Sequence, residues 1–174
     1  MESILRRWRP EDAAGLAPLA DNWAVAQNLR DIFPHPYTPA DAEAFIQSCL
    51  ASSEREALYR AITVDGRAVG GIAITRGQDV YRRSAELGYW LAEPYWGRGI
   101  MTAAVAGMTA LAFASYGDLL RIHAEPYARN RGSRRVLEKN GYQLEGILRR
   151  SVVKAGEILD SCIYARLREE GAVV

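Results

Sequence analysis

The sequence predicts an α+β fold, in which a mixed central sheet of about seven strands carries helices on both faces. Strand-like segments joined by short turns come first, and strands and helices alternate after them. Antiparallel strands followed by a helical crossover give a sheet of mixed direction. A chain of 174 residues suits one hydrophobic core, so residues 1–174 are expected to form a single domain.

The first half of the chain is expected to hold a strand, two helices and an antiparallel meander. Thr38 is suited to cap the second helix, and Asp65-Gly66 is a dipeptide that type I′ hairpin turns prefer. The expected elements are a strand at Ser3 to Arg9, a helix entered through Pro10-Glu11-Asp12, a helix from about Pro39 to Ser52, a hairpin of residues 57–64 and 67–76, and a strand from about Arg83 to Leu91.

The second half is expected to alternate helices with strands and to finish on a hairpin. Asn130 is a good helix N-cap, and Gly141 after Asn140 is a left-handed stop. The expected elements are a buried helix over Ala103 to Ala114, a strand at Leu119 to Glu125, a helix over about 131–139, and strands at about Gln143 to Val153 and Glu157 to Leu167.

Two glycines and an arginine lie where the strand ending at Leu91 gives way to the apolar helix. Arg98 comes just before the first turn of that helix, and the turn itself contains no acidic residue. Acidic residues are favoured in the first turn of a helix, because its N–H groups are unpaired and its dipole is positive. An external anion bound to the free N–H groups would explain this, with Gly97 and Gly99 allowing close approach. The other interpretation is an ordinary glycine-bearing loop. Dinucleotide and nucleotide-triphosphate loops do not fit, because Thr102 replaces a third glycine and no Gly-Lys-Ser/Thr occurs.

A second segment, Asn130 to Tyr142, also gathers cations at a helix start. Ser133 falls in the first turn of this helix, and arginines occupy positions 129, 131, 134 and 135. Four cations there favour an anionic neighbour. The alternatives are that Asn130 and Ser133 only cap the helix and that the arginines form a solvated face.

Together these segments resemble the GNAT superfamily of N-acetyltransferases. Trp96-Gly97-Arg98-Gly99-Ile100-Met101 resembles its acyl-CoA pyrophosphate loop, Arg/Gln-x-x-Gly-x-Gly/Ala, with Trp96 in place of the polar residue and Met101 in place of the small one. Asn130 to Tyr142 resembles the Asn-x-x-Ser-x-x-x-Leu-x-x-x-Gly-Phe/Tyr segment of the branch that contains ribosomal-protein N-terminal acetyltransferases. The resemblance covers nearly the whole chain in the family's order.

The resemblance implies the GNAT fold, with splayed central strands, and direct transfer of acetyl from acetyl-CoA to a primary amine. The amine would belong to a protein N-terminus or to a small molecule. Gly88 is suited to a bulge that opens the gap between the strands. The residues implied to bind acetyl-CoA are Trp90, Leu91 and Ala92 through their N–H groups, Gly97, Arg98, Gly99, Ile100, Met101 and Thr102 at the phosphates, and Asn130 and Arg135, with Arg134 as an alternative to Arg135.

Two residues are predicted to be catalytic. The amine must lose a proton before it attacks, and Glu86 on the central strand is the candidate acceptor; a water relay is the alternative. Glu86 would also fit a sheet edge or an ion pair with arginine. Ser133 resembles the serine that stands near the CoA thiol in this branch, where it would assist the leaving sulfur.

Four aromatic residues are candidates for the acceptor site: Phe33, His35, Tyr37 and Tyr89. Core packing explains such aromatics equally well. The second histidine, His123, lies mid-strand and is interpreted as a packed residue. Two histidines without clustered cysteines do not indicate a metal site.

Composition limits the remaining partners. A net charge of +1 and no basic stripe give no indication of nucleic-acid or membrane association.

Cys49 and Cys162 lie in apolar stretches and are interpreted as reduced core residues. No apolar export segment is apparent, so a cytoplasmic location is expected. The resemblance implies a homodimer. Two alternatives stay open: a non-catalytic acyl-CoA-binding regulatory module, and an interaction domain whose glycine turn is structural.

Overall fold

The computed structural model describes residues 3–169, which form one seven-stranded sheet and five helices. The strands are β1 Ser3–Arg6, β2 Ala57–Val64, β3 Arg67–Arg76, β4 Ser84–Leu91, β5 Arg121–Ala124, β6 Gln143–Lys154 and β7 Glu157–Leu167, and the helices are α1 Ala13–Ala20, α2 Trp23–Ala26, α3 Pro39–Ala51, α4 Ile100–Ser115 and α5 Arg131–Lys139. Their order in the sheet is β1-β2-β3-β4-β5-β7-β6. This arrangement confirms the predicted α+β class and mixed sheet.

The N-terminal strand is shorter than predicted, because it ends at Arg6 instead of Arg9. The chain then turns so that Trp8 is buried, with its ring edge-on to Phe45 of α3 at 5.4 Å between centroids. Pro10 opens a 3-10 turn before α1, and α2 is a short helix that was not predicted from sequence. The strand thus ends two residues before a large aromatic side chain that packs against α3.

The sheet separates two hydrophobic clusters. On one face α4 and α5 pack over side chains such as Ile72, Leu87 and Ile122. On the other face α1, α2 and α3 pack over side chains such as Ala61 and Trp90. We call these the α4 face and the α3 face. No helix within residues 3–169 is both long and apolar enough to cross a bilayer.

Strands β4 and β5 run parallel but pair over only three residues, from Ser84–Arg121 to Glu86–His123. Beyond that point β4 continues along β3 to Leu91. The chain after β5 instead follows β7, because the Pro126 carbonyl accepts from the Cys162 N–H at 2.9 Å and the Ala128 N–H donates to Asp160 at 2.8 Å. Pro126 has no N–H of its own to donate to a neighbouring strand. A gap therefore opens between β4 and β5.

The gap opens without a bulge at Gly88, which corrects the expectation from sequence. The register between β3 and β4 is continuous, with Gly88 opposite Ala73 and Trp90 opposite Gly71. Strict alternation therefore holds along β4, and Glu86, Gly88 and Trp90 all lie on the α3 face.

Helix α3 begins with the predicted Thr38 cap. The Asp41 N–H donates to Thr38 Oγ1 at 3.2 Å, and the Thr38 N–H donates to Asp41 Oδ2 at 2.8 Å, which completes a capping box. These bonds satisfy backbone groups that a helix start otherwise leaves without partners.

We expect Thr38→Ala to lower the free energy of unfolding by about 1 kcal/mol, because it removes the cap acceptor. Urea unfolding followed by circular dichroism measures the change. Thr38→Ser keeps the hydroxyl and is the control that should stay near the wild-type value. Equal stability of all three proteins would contradict a stabilising role for the cap.

Candidate active site

A cavity of about 1350 Å³ passes through the gap between β4 and β5. On the α3 face it is lined by the loop between α2 and α3, residues 27–38, together with Glu86 and Gly88. On the α4 face it reaches the starts of α4 and α5, including Gly99 and Ser133. The cavity therefore joins the predicted phosphate loop to the predicted acceptor side. Every predicted site residue lines it except Ala92, His35 and Arg134, the alternative to Arg135.

The glycine turn before α4 has the backbone that an anion site requires. Gly97 and Gly99 have φ of +72° and +76°, a region that other residues rarely adopt, and no atom lies within 4 Å of where their Cβ atoms would be. The first turn of α4 has no acidic residue. The free N–H groups of this helix start therefore face open space beside glycine.

Other residues of this turn hold the helix start in place. Ile100 is buried and Met101 packs against the α4-face core, so their side chains point inward. The Thr102 carbonyl accepts from the Asn140 amide at 3.1 Å, which ties α4 to the end of α5. The Arg98 guanidinium lies 5.8 Å from the Tyr95 ring centre.

The N–H groups near the end of β4 divide between two directions. The Ala92 N–H donates to the Val69 carbonyl at 2.9 Å, so its hydrogen bond lies within the sheet. This N–H therefore does not face the gap, which corrects the expectation from sequence. Alternation in an antiparallel pair puts the Trp90 N–H on the same side, toward β3. The Leu91 N–H then points toward the gap. The Leu91 carbonyl on that side accepts from the Trp96 indole at 2.7 Å.

The start of α5 brings Ser133 to the α4-face side of the gap. Asn130 Oδ1 accepts from the Ser133 N–H at 3.1 Å, which confirms the predicted cap. Ser133 Oγ lies 2.8 Å from the Tyr89 hydroxyl, and either group can donate. Burial raises the pKa of Tyr89 above its usual range, so its hydroxyl stays protonated at neutral pH.

The two candidate arginines of α5 differ in their surroundings. Arg134 donates to the Tyr164 hydroxyl at 3.1 Å and to the Ala128 carbonyl at 3.2 Å, and so braces α5 against β7. Arg135 lines the cavity, and its exposed side chain lies 3.6 Å from Glu138. Arg135 is therefore the one placed to reach an anion in the cavity.

Glu86 lies on the α3-face side of the gap and forms an ion pair with Arg30 of the α2–α3 loop. Its side chain is 37% exposed, and this ion pair with arginine is one of the alternatives that the sequence left open for Glu86. His123 is its cross-strand neighbour on β5. Burial lowers the pKa of His123, an effect that the charge of Glu86 partly opposes, so the imidazole is neutral at neutral pH.

A second carboxylate, Glu125, lines the same cavity and was missed from sequence. Its Oε1 accepts from the Ser161 hydroxyl at 2.7 Å, and Ser161 is fully buried and lies 2.8 Å from the Ser151 hydroxyl. No cation within residues 3–169 forms an ion pair with Glu125. Glu125 could have been predicted from its position directly after β5, two residues beyond His123, because the carboxyl ends of strands line ligand sites.

The four predicted acceptor residues do not lie together. Phe33 and Tyr37 contact each other on the α3 face at 4.9 Å between ring centroids. His35 lies outside the cavity, where it pairs with Asp21 at 3.3 Å and contacts the Trp23 ring. Tyr89 projects to the α4 face, toward Ser133. Phe33 and Tyr37 are thus the two predicted acceptor residues of the α2–α3 loop that line the cavity together.

Polar contacts hold the α2–α3 loop to β4, to β6 and to the segment before α5. Besides the Arg30–Glu86 pair, Asp31 accepts from the buried Lys154 amine of β6 at 2.7 Å. The Gln27 carbonyl accepts from Arg129 at 2.8 Å.

Within the described part of the chain no group of three or more His, Cys, Asp or Glu side chains is placed to hold a metal ion.

A seven-stranded mixed sheet with parted central strands and a glycine turn at the start of a helix defines an acyltransferase of the GNAT type. The model of the GNAT acetyltransferase domain matches residues 3–143, and the chain belongs to this family. This confirms the predicted family and the predicted class, an acetyl-CoA-dependent N-acetyltransferase, over the two non-enzymatic alternatives.

Curated relatives and solved structures agree with this assignment. The chain is 28% identical over 174 residues to a protein named putative ribosomal N-acetyltransferase YdaF of Bacillus subtilis, across 95% of this chain and 91% of the relative. It is 31% identical to the ribosomal-protein-serine acetyltransferase of Escherichia coli, over 57% of this chain and 54% of that protein. The structure of Mycobacterium smegmatis RimJ in complex with CoA-disulfide has a TM-score of 0.83 and 28% identity, covering 97% of this chain and 83% of that one.

We expect Gly99→Val to raise the dissociation constant of acetyl-CoA by about tenfold or more, because a β-branched residue resists positive φ and fills the helix start. Calorimetric titration measures this constant. Gly66→Val is the matched control: Gly66 has φ of +82° and open space around it, but it lies in the β2–β3 turn. Unchanged binding by the Gly99 variant would remove the turn from the binding site.

Proposed function

We propose that this protein transfers the acetyl group of acetyl-CoA to the N-terminal amine of a protein. The observation that carries the proposal is the continuous cavity through the β4–β5 gap, with a glycine turn on one face and two carboxylates on the other. A protein acceptor is supported by the names of the Bacillus and Escherichia relatives, which refer to ribosomal proteins.

The donor side is supported by the groups that face the gap from the α4 side. Acetyl-CoA supplies an activated acetyl thioester. The N–H groups at the start of α4 are suited to its pyrophosphate, and Arg98 and Arg135 are suited to its other phosphate charges. The Leu91 N–H points toward the gap, where it would stabilise the negative charge that develops on the acetyl oxygen.

The acceptor side needs a group that takes a proton from the attacking amine. We propose Glu125 for this role, with Glu86 as the alternative. Glu125 has a hydroxyl partner in Ser161 and, among residues 3–169, no cationic one, whereas Glu86 forms an ion pair with Arg30. The neutral His123 lies beside Glu86 and adds no positive charge that would repel an ammonium. The amine loses its proton, attacks the acetyl carbon, and the carbon–sulfur bond breaks.

Ser133 is proposed to assist the departing sulfur. When the Tyr89 hydroxyl donates a hydrogen bond to Ser133 Oγ, the serine O–H can point toward the gap. Because the pKa of Tyr89 is raised by burial, this donor is retained at neutral pH. The pair would give the thiolate a hydrogen bond as it leaves.

Replacing each carboxylate by its amide separates the two candidate bases. We expect Glu125→Gln to lower kcat by about a hundredfold or more, and Glu86→Gln to act mainly on acceptor KM because it releases Arg30. Thiol release from acetyl-CoA with peptide acceptors measures both constants, and calorimetry checks that acetyl-CoA still binds. The opposite ranking of kcat values would assign the proton transfer to Glu86.

We expect Ser133→Ala to lower kcat by about tenfold to a hundredfold, since a thiolate leaves without much help. Tyr89→Phe should act in the same direction by a smaller factor. Ser48→Ala is the control, because Ser48 is exposed on the surface of α3, where its hydroxyl donates to the Phe45 carbonyl at 2.7 Å. Full turnover by Ser133→Ala would show that the serine only caps α5.

A screen of peptides with free and blocked N-termini tests the acceptor class. Acetylation of free but not blocked peptides supports the proposal. Turnover confined to lysine side chains or small amines would contradict it. We also propose a homodimer, which the resemblance implies, and a cytoplasmic location, which the composition of the chain indicates. Light scattering of the purified protein tests the first.

A further inference from the structure

A row of small residues crosses the α3 face of the sheet beside the gap. Gly88 of β4 is opposite Ala73 of β3, and Ala73 is opposite Tyr59 of β2. No atom lies within 4 Å of where a Gly88 Cβ would be. All three residues line the cavity. The row therefore forms an open channel floor that starts at the gap and ends at the Tyr59 ring.

The two neighbouring rows give this channel its sides. On one side Trp90 lies opposite Gly71, where the Trp8 and Trp90 rings lie over the glycine. On the other side lie Glu86 and Thr75. One side is thus apolar, and the polar side carries the carboxylate that pairs with Arg30.

Aromatic side chains also enclose the channel above the sheet. Phe33 of the α2–α3 loop lies 5.3 Å from Trp90 between ring centroids, in an edge-on arrangement, and Phe45 of α3 also lines the cavity. Neighbouring strands are about 4.8 Å apart, so the floor over Gly88 and Ala73 has about the length of a phenyl side chain. Aromatic walls favour an apolar group and edge-on ring contacts.

We infer that this channel receives the side chain of the acceptor's first residue, and that it selects a large aliphatic or aromatic one. The inference rests on the proposed function, because the acceptor amine must lie at the gap for its side chain to extend over Gly88. From that position the side chain passes over Gly88 and Ala73 and ends against Tyr59, with Phe33 above it. A small first residue would leave the aromatic walls without contact.

Peptides that differ only in the first residue test the inference. We expect kcat/KM for a Phe-first or Leu-first peptide to exceed that of the Ser-first and Ala-first peptides by about tenfold or more. Equal or better turnover of the small residues would overturn the channel and leave the proposed function standing.

Gly88→Leu fills the channel floor and should reverse the preference. We expect this variant to lose about tenfold or more in kcat/KM with the Phe-first peptide and much less with the Ala-first peptide. Acetyl-CoA binding, measured by calorimetry, should be unchanged. Gly15→Leu is the matched control, since Gly15 is exposed on α1 and also has open space around it. Parallel losses with both peptides would contradict a role in selection.

If no peptide is acetylated, the proposed function is refuted. A binding measurement still tests the channel in that case. In saturation-transfer NMR with 2-phenylethylamine and ethylamine as probes, we expect the wild-type protein to transfer saturation to the aromatic probe. Gly88→Leu should abolish that signal. Equal signals from the wild type and the variant would overturn the inference.

Discussion

The site depends on the short parallel contact between β4 and β5, which lasts three residues and then ends. Antiparallel partners hold both strands on their outer sides, β3 along all of β4 and β7 along β5 and the residues after it. The parting therefore costs the sheet few hydrogen bonds, while it creates an opening in the middle of a layer that is otherwise continuous. Backbone groups at such an opening face a ligand and not a neighbouring strand.

The sheet also sorts the chemistry by face, because alternate residues of β4 point in opposite directions. Tyr89 projects to the α4 face and meets Ser133, whereas Glu86 and Gly88 project to the α3 face. On β4 the side chain that meets Ser133 and the carboxylate on the α3 face are thus only three residues apart in sequence. No bulge is needed, and an undistorted strand keeps this alternation fixed.

Local signals in the sequence were sufficient for most elements and for the backbone of the turn before α4. The Asp65-Gly66 turn, the Thr38 and Asn130 caps and the acid-free start of α4 depend on a few adjacent residues, and each occurs where it was expected. Features that depend on register or on distant partners were not predictable. The direction of the Ala92 N–H follows from its pairing with Val69. The partner of Glu86 is 56 residues away, and the bond from Lys154 to Asp31 spans 123 residues.

The position of the gap has a consequence for the order of events in a catalytic cycle. A donor seated against α4 and α5 and an acceptor that arrives beside the α2–α3 loop would approach from opposite faces of the sheet. Neither ligand then lies across the route of the other. Both can be present together, which suits transfer within a ternary complex, and each product can depart while the other is still bound. The rates of the two departures would then depend on separate structures: the helix starts on one face, and on the other a loop held by ion pairs to Glu86 and Lys154.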